Sequence, residues 1–138
     1  MCPHGRRRGR HPGPEGRWDA FDDGSPEIGD LLANVTRKGG FLDDIAGFDA
    51  RFFGISDREA IAMDPQQRIL LEVSWHALED AGIVPSALSK SRTGVFIGIS
   101  TAEYGLMVPD IDAYSVVGAA QSIAAGRISY VFDLQGPN

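Results

Sequence analysis

The chain has 138 residues, 43% of them hydrophobic and 23% charged, with 13 basic against 19 acidic side chains and a formal net charge of −6. This is one domain of ordinary soluble composition, and no apolar run reaches the roughly 20 residues that a membrane helix needs. Cys2 is the single cysteine, so an internal disulfide is excluded and a reducing, cytoplasmic setting is expected.

Charge is unevenly spread. Residues 1–17 hold five arginines and one acid, Glu15, whereas from Trp18 onward eight basic residues face eighteen acidic ones. The Gly, Pro and Arg content of residues 1–16 predicts a disordered tail, with a folded domain over 17–138. The tail is charged but no apolar segment follows it, so it does not read as a secretory signal. An acidic body disfavours nucleic acid, and Arg6, Arg7, Arg8 and Arg10 come without an interleaved aromatic.

Residues 22–26 read as a turn and residues 27–32 as a helical turn. Gly39-Gly40 break the chain before the apolar anchor Phe41-Leu42. Phe48, Phe52 and Phe53 suit a short helical turn that presses aromatics onto a core. Ser56-Asp57-Arg58-Glu59 has the form of a capping box and predicts a helix over 57–62. Asp64-Pro65-Gln66-Gln67 repeats that grammar, with a capping aspartate and proline at the first helical position. Ile69, Leu70, Val73, Ala77, Leu78 and Ala81 follow at helical spacing, so a helix is predicted over 65–81 with Gly82 as its stop.

The continuously apolar run 93–99 predicts a strand buried on both faces. Residues 115–125 predict a tightly packed helix ended by Gly126, residues 128–134 another strand, and residues 135–138 a turn. Helix, strand, helix and strand in succession indicate a layered α/β domain, with too few strands to close a sheet.

Local chemistry is sparse. Cys2, His4, His11 and His76 do not make a metal site, and neither a phosphate-binding glycine loop nor a serine nucleophile elbow occurs. The adjacent acids Asp22-Asp23, Asp43-Asp44 and Glu79-Asp80 read as solvated surface. No bound cofactor or metal is expected, and taken residue by residue no active site emerges.

Six ordered motifs carry a resemblance. They are Phe52-Phe53-Gly54-Ile55-Ser56, Met63-Asp64-Pro65-Gln66-Gln67-Arg68, Leu78-Glu79-Asp80-Ala81-Gly82, Thr93-Gly94-Val95-Phe96-Ile97-Gly98, Gly126-Arg127-Ile128-Ser129-Tyr130 and Leu134-Gln135-Gly136-Pro137. Together they resemble the N-terminal part of the β-ketoacyl synthase (ketosynthase) domain of type I modular polyketide synthases. The resemblance implies an α/β, thiolase-like fold of αβαβα layers, of which this chain would supply the N-terminal half only. It also implies a homodimer that condenses acyl thioesters with malonyl-type extenders on acyl carrier protein, by decarboxylation. The phosphopantetheine would be carried by that partner, and neither nucleic acid nor membrane would take part.

No catalytic residue carries over, since the family's cysteine and both its histidines would lie beyond Asn138. Asp64, Pro65, Gln66, Gln67 and Arg68 are expected to be a structural motif, a helix start with a buried polar anchor. Met107, Tyr114 and Gln121 are the candidates for acyl-pocket or dimer contact. The alternative reading is a non-catalytic truncated or frame-disrupted half-domain, unstable or acting only as an interaction scaffold.

Overall fold

A computed structural model of the chain describes residues 11–13, 16, 18–42, 44–101, 103–107 and 118–138. Its contacts divide it into two units, Met1–Asp44 and Ile45–Asn138.

In the first unit, β1 (His11–Pro12) pairs antiparallel with β2 (Lys38–Gly39), with His11 opposite Gly39 and Pro12 opposite Lys38. The ring of Phe41 lies over this ladder, where a Cβ on Gly13 or Gly39 would stand 3.1 or 3.3 Å from it. The predicted turn at 22–26 is built from aspartate side chains. Gly24 N–H donates to Asp22 Oδ1 and Ser25 N–H to Asp23 Oδ1, both at 2.9 Å. Ser25 then caps α1 (Pro26–Asn34), its Oγ accepting from Ile28 N–H at 3.3 Å. The helix is longer than the predicted turn because its last carbonyls find side-chain donors. Asn34 Nδ2 donates to Asp30 O and Arg37 Nη2 to Leu32 O. No residue of α1 is buried.

The second unit holds the core. Phe48 stacks on Phe53, Phe53 meets Phe52 edge-on, Phe52 meets Trp75 edge-on at 4.6 Å, and Trp75 stacks on Phe132. The aromatic-rich segment is a turn closed by Ile55 N–H on Ala50 O, with Gly54 at φ +69°. Helix α2 (Asp57–Ala62) starts as predicted, Ser56 Oγ accepting from Glu59 N–H at 3.2 Å. Helix α3 (Pro65–Asp80) is also as predicted, with Met63 before it and Leu71 within it fully buried. It ends at Gly82, φ +67°, where Gly82 N–H bonds Glu79 O and Ile83 N–H bonds Leu78 O. Those paired bonds through a left-handed residue are the usual helix stop.

Three local expectations are corrected. The run 93–99 is not in a strand. Its backbone bonds to residues 136–137, Gly136 N–H donating to Thr93 O and Val95 N–H to Pro137 O, and no neighbouring strand pairs with it among the described residues. Phe96 is 79% exposed there.

Residues 128–134 are not a strand, and Gly126 does not end a helix. Helix α5 (Ile123–Val131) runs through both, after the short α4 (Tyr104–Met107). A short apolar run fits a strand or a buried helix equally well by hydrophobicity alone. Ala124, Ile128 and Phe132 are buried at a spacing of four, which is the helical period. A glycine inside a helix costs about 1 kcal/mol relative to alanine, a penalty that this packing overrides. Helix α5 ends with the same bond pair as α3, Asp133 N–H to Tyr130 O and Leu134 N–H to Ser129 O, with Asp133 at φ +52°.

Candidate functional site

The polar groups of the second unit gather at the start of α3. Asp64, buried, accepts from Gln66 N–H at 2.8 Å and so caps the helix, while Pro65 occupies its first position without needing a donor partner. Asp64 N–H itself donates to Gly118 O at 3.1 Å. Gln66 Nε2 donates to Thr101 O at 3.0 Å and leans on Asp64 Oδ2 at 3.4 Å.

Gln67 does not turn back to its own helix start. Its side chain, 2% exposed, donates through Nε2 to Gly118 O at 2.7 Å and Ala120 O at 3.2 Å. Its Oε1 accepts from Arg127 Nε at 3.0 Å. Arg127, on α5 with 9% of its side chain exposed, also donates through Nη1 to Glu59 Oε1 on α2. One buried cluster thus ties α2, α3 and α5 to the backbone at 118–120. A buried cation is tolerated only when paired and hydrogen-bonded in this way.

Arg68 Nη1 donates to Ala46 O at 3.3 Å, and its guanidinium sits 5.9 Å from the centre of the Tyr104 ring. Tyr104 Oη in turn donates to Ile61 O at 2.7 Å. Gly118 is required by contact. A Cβ there would lie 2.1 Å from Ala62 O and 3.0 Å from Met63 N. Glu59, Arg127 and Ile123 also line an open cleft of about 340 Å³, together with Phe53 and Tyr130.

The sequence motif Asp64 to Arg68 is therefore brought together at one place, and Gln121 follows directly on the segment that Gln67 holds. Met107 lies on α4, and Tyr114 lies outside the described residues. His76 is half-exposed on α3 with Nδ1 3.2 Å from Glu79 Oε2, and Cys2 and His4 lie outside the described residues. Among the described residues no group of three or more His, Cys, Asp or Glu gathers to hold a metal, and no helix is long and apolar enough to cross a membrane.

Sequence reasoning misses Arg127 as a site residue, and takes Glu59 only for a capping partner. A signal is available, because Arg127 is the one charged residue between positions 115 and 132. A lone cation in an apolar run implies a buried partner.

Comparison with known proteins decides the family. Residues 5–138 match the β-ketoacyl synthase, N-terminal domain. The chain belongs to this family.

Among curated relatives, it is 53% identical over 129 residues to a phenolphthiocerol/phthiocerol polyketide synthase of Mycobacterium tuberculosis, covering 91% of this chain and 7% of that protein. It is 50% identical over 124 residues to the erythronolide synthase EryA2 of Saccharopolyspora erythraea, covering 88% and 4%. Among solved structures, the ketosynthase from module 6 of the bacillaene synthase of Bacillus subtilis 168 matches at TM-score 0.72 and 38% identity, over 93% of this chain and 20% of that one. An oxazolomycin ketosynthase domain from Streptomyces albus matches at TM-score 0.71 and 37% identity, over 94% and 23%.

The chain thus has the fold of the N-terminal part of a thiolase-like ketosynthase domain, and spans about a fifth of the length of the bacillaene ketosynthase. The α/β expectation for the fold class holds at this level, although the individual strands expected from hydrophobicity do not.

Proposed function

We propose that the chain serves as the N-terminal part of a ketosynthase that performs decarboxylative condensation in polyketide synthesis. The observation that carries this reading is the 93% coverage of the chain by the bacillaene module 6 ketosynthase at 38% identity. In this reaction an acyl group passes from its thioester to a cysteine thiolate. A malonyl-type extender on acyl carrier protein loses carbon dioxide, and the resulting carbanion attacks the acyl thioester carbonyl. The new carbon–carbon bond forms as the cysteine thiolate leaves. Decarboxylation supplies the nucleophile.

On this reading the chain's residues are scaffold and substrate wall, and none of them is the acyl-accepting cysteine. Asp64 to Arg68 serve as a structural motif at the start of α3, and Gln121, Met107 and Tyr114 are the proposed contacts to the acyl chain or the other protomer. The working protein is a cytoplasmic homodimer, and its phosphopantetheine is carried by the acyl carrier protein.

The test is to capture the native product with an antibody raised against residues 41–80, measure its intact mass, and offer it a radiolabelled acyl thioester. A polypeptide far heavier than 14.8 kDa that retains the label is expected. An unlabelled product of 14.8 kDa would instead establish the non-catalytic half-domain.

A further inference from the structure

We infer that the cleft between α3, the 3₁₀ turn Pro85–Leu88 and the end of α5 is a docking site for an arginine side chain of a partner protein. This goes beyond the condensation reading and does not depend on it.

The cleft holds about 440 Å³ and is lined by the stacked rings of Trp75 and Phe132 and by the apolar side chains of Val84 and Val131. Among the described residues, Asp133 is the one charged side chain in that lining. Its carboxylate is fixed by the neighbouring Ser89, whose Oγ donates to Asp133 Oδ2 at 2.6 Å. Asp133 makes no ion pair, and its Oδ1 accepts no hydrogen bond. A negative charge is thus held in place at an aromatic cleft with no cation to answer it.

The backbone at this point is also unusual. Helices α3 and α5 stop on the same pair of bonds, but α3 does so at Gly82 and α5 at Asp133, φ +52°. Left-handed backbone is disfavoured for a residue with a side chain, and glycine would serve the stop without that penalty. Lys90, φ +59°, donates its N–H to Asp133 O at 2.6 Å, and these two are the only described non-glycine residues with positive φ. Disfavoured backbone kept at two bonded positions beside one cleft points to a task for the side chain there.

The chemistry of the cleft selects the occupant. A carboxylate beside an indole suits a cation with a flat face. A guanidinium lies against an aromatic ring while its edge N–H groups reach a carboxylate, and it is hydrated weakly enough to enter apolar surroundings. A lysine ammonium is compact and strongly hydrated, so it gives up more water for fewer matched bonds. Around the cleft, Val84 is 63% exposed, and Phe52, edge-on to Trp75, is 53% exposed. Exposed apolar groups around an aromatic anchor have the composition of a protein interface, where arginine and aromatic residues are enriched. The occupant is therefore an arginine flanked by apolar residues on a polypeptide.

The experiment uses the complete polypeptide that contains this chain and a photoreactive peptide, acetyl-valyl-arginyl-photoleucine amide. Two further peptides replace the arginine by citrulline, which has the same shape without the charge, or by lysine. After irradiation, cross-links are located by mass spectrometry. The arginine peptide is expected to label residues 84–89 and 131–133 about tenfold more than the citrulline peptide, as one charge-assisted hydrogen bond provides, and more than the lysine peptide. Asp133→Asn keeps a residue that tolerates left-handed backbone and an acceptor for Ser89, but removes the charge. It should bring labelling by the arginine peptide down to the citrulline level.

Equal labelling by the arginine and citrulline peptides, or labelling unchanged in Asp133→Asn, overturns the site. Equal labelling by the lysine and arginine peptides overturns the assignment to arginine. If Asp133→Asn does not fold, the comparison of arginine with citrulline on the unaltered protein carries the decision alone.

Discussion

Helices α1 and α3 open with the same grammar and hold very different amounts of structure. Each has a capping side chain, Ser25 or Asp64, followed by proline at the first helical position. Helix α1 then buries nothing, and its Leu31 is 66% exposed. Helix α3 buries Leu71 completely and Gln67 almost completely. The caps decide where a helix begins. What the helix holds depends on whether its inward face meets partners from distant sequence.

That contrast can be broken by substitution. Leu71→Ala should lower the stability of the second unit by about 3 kcal/mol, whereas Leu31→Ala should change that of the first by less than about 0.5 kcal/mol, read as hydrogen-exchange protection. Equal effects would mean that α1 has a buried face after all. Two glycines sharpen the same point. Gly118→Ala forces backbone apart and should cost about 3 kcal/mol. At Gly24, φ is +78° and the space around it is open, so alanine there meets only the left-handed backbone penalty of about 1 kcal/mol.

Smaller effects separate the caps. Ser56→Ala and Ser25→Ala each remove one capping bond, at about 1 kcal/mol. The loss at Ser56 should spread to exchange at Met63 and Asp64, because α2 leads into the core. The loss at Ser25 should stay within α1. The smallest effect concerns acid. Ser25, through its side chain and then its backbone N–H, holds the Asp23 carboxyl below its ordinary value of 3.8. A lowered carboxylate value stabilises the fold fully above the ordinary one, and that contribution is lost as pH falls through the lowered value. Protection of the Ser25 amide should therefore persist at pH 3.8 and fall only below it, and Asp23→Asn should flatten that dependence.

Much of this molecule is legible in its sequence where the signal is local. Helices α2 and α3, their caps and the Gly82 stop all rest on bonds between residues two to five apart. The order of six motifs is enough to identify the family. The strand expected at 93–99 fails because an apolar run states only that it prefers burial, while a strand also needs a neighbour to bond. Helix α5 escapes a reading from sequence because its run, taken residue by residue, satisfies strand and helix alike.

The sequence by itself determined where helices α2 and α3 start and stop, and to which family the chain belongs. Only the tertiary structure decided the partners of Gln67 and Arg127 and the need for glycine at 118. Those bonds join residues 51 to 68 positions apart, and Gly118 meets Ala62 across a similar distance. A side chain's donors and acceptors are written in the sequence, but which distant carbonyl they reach is settled by how the helices pack.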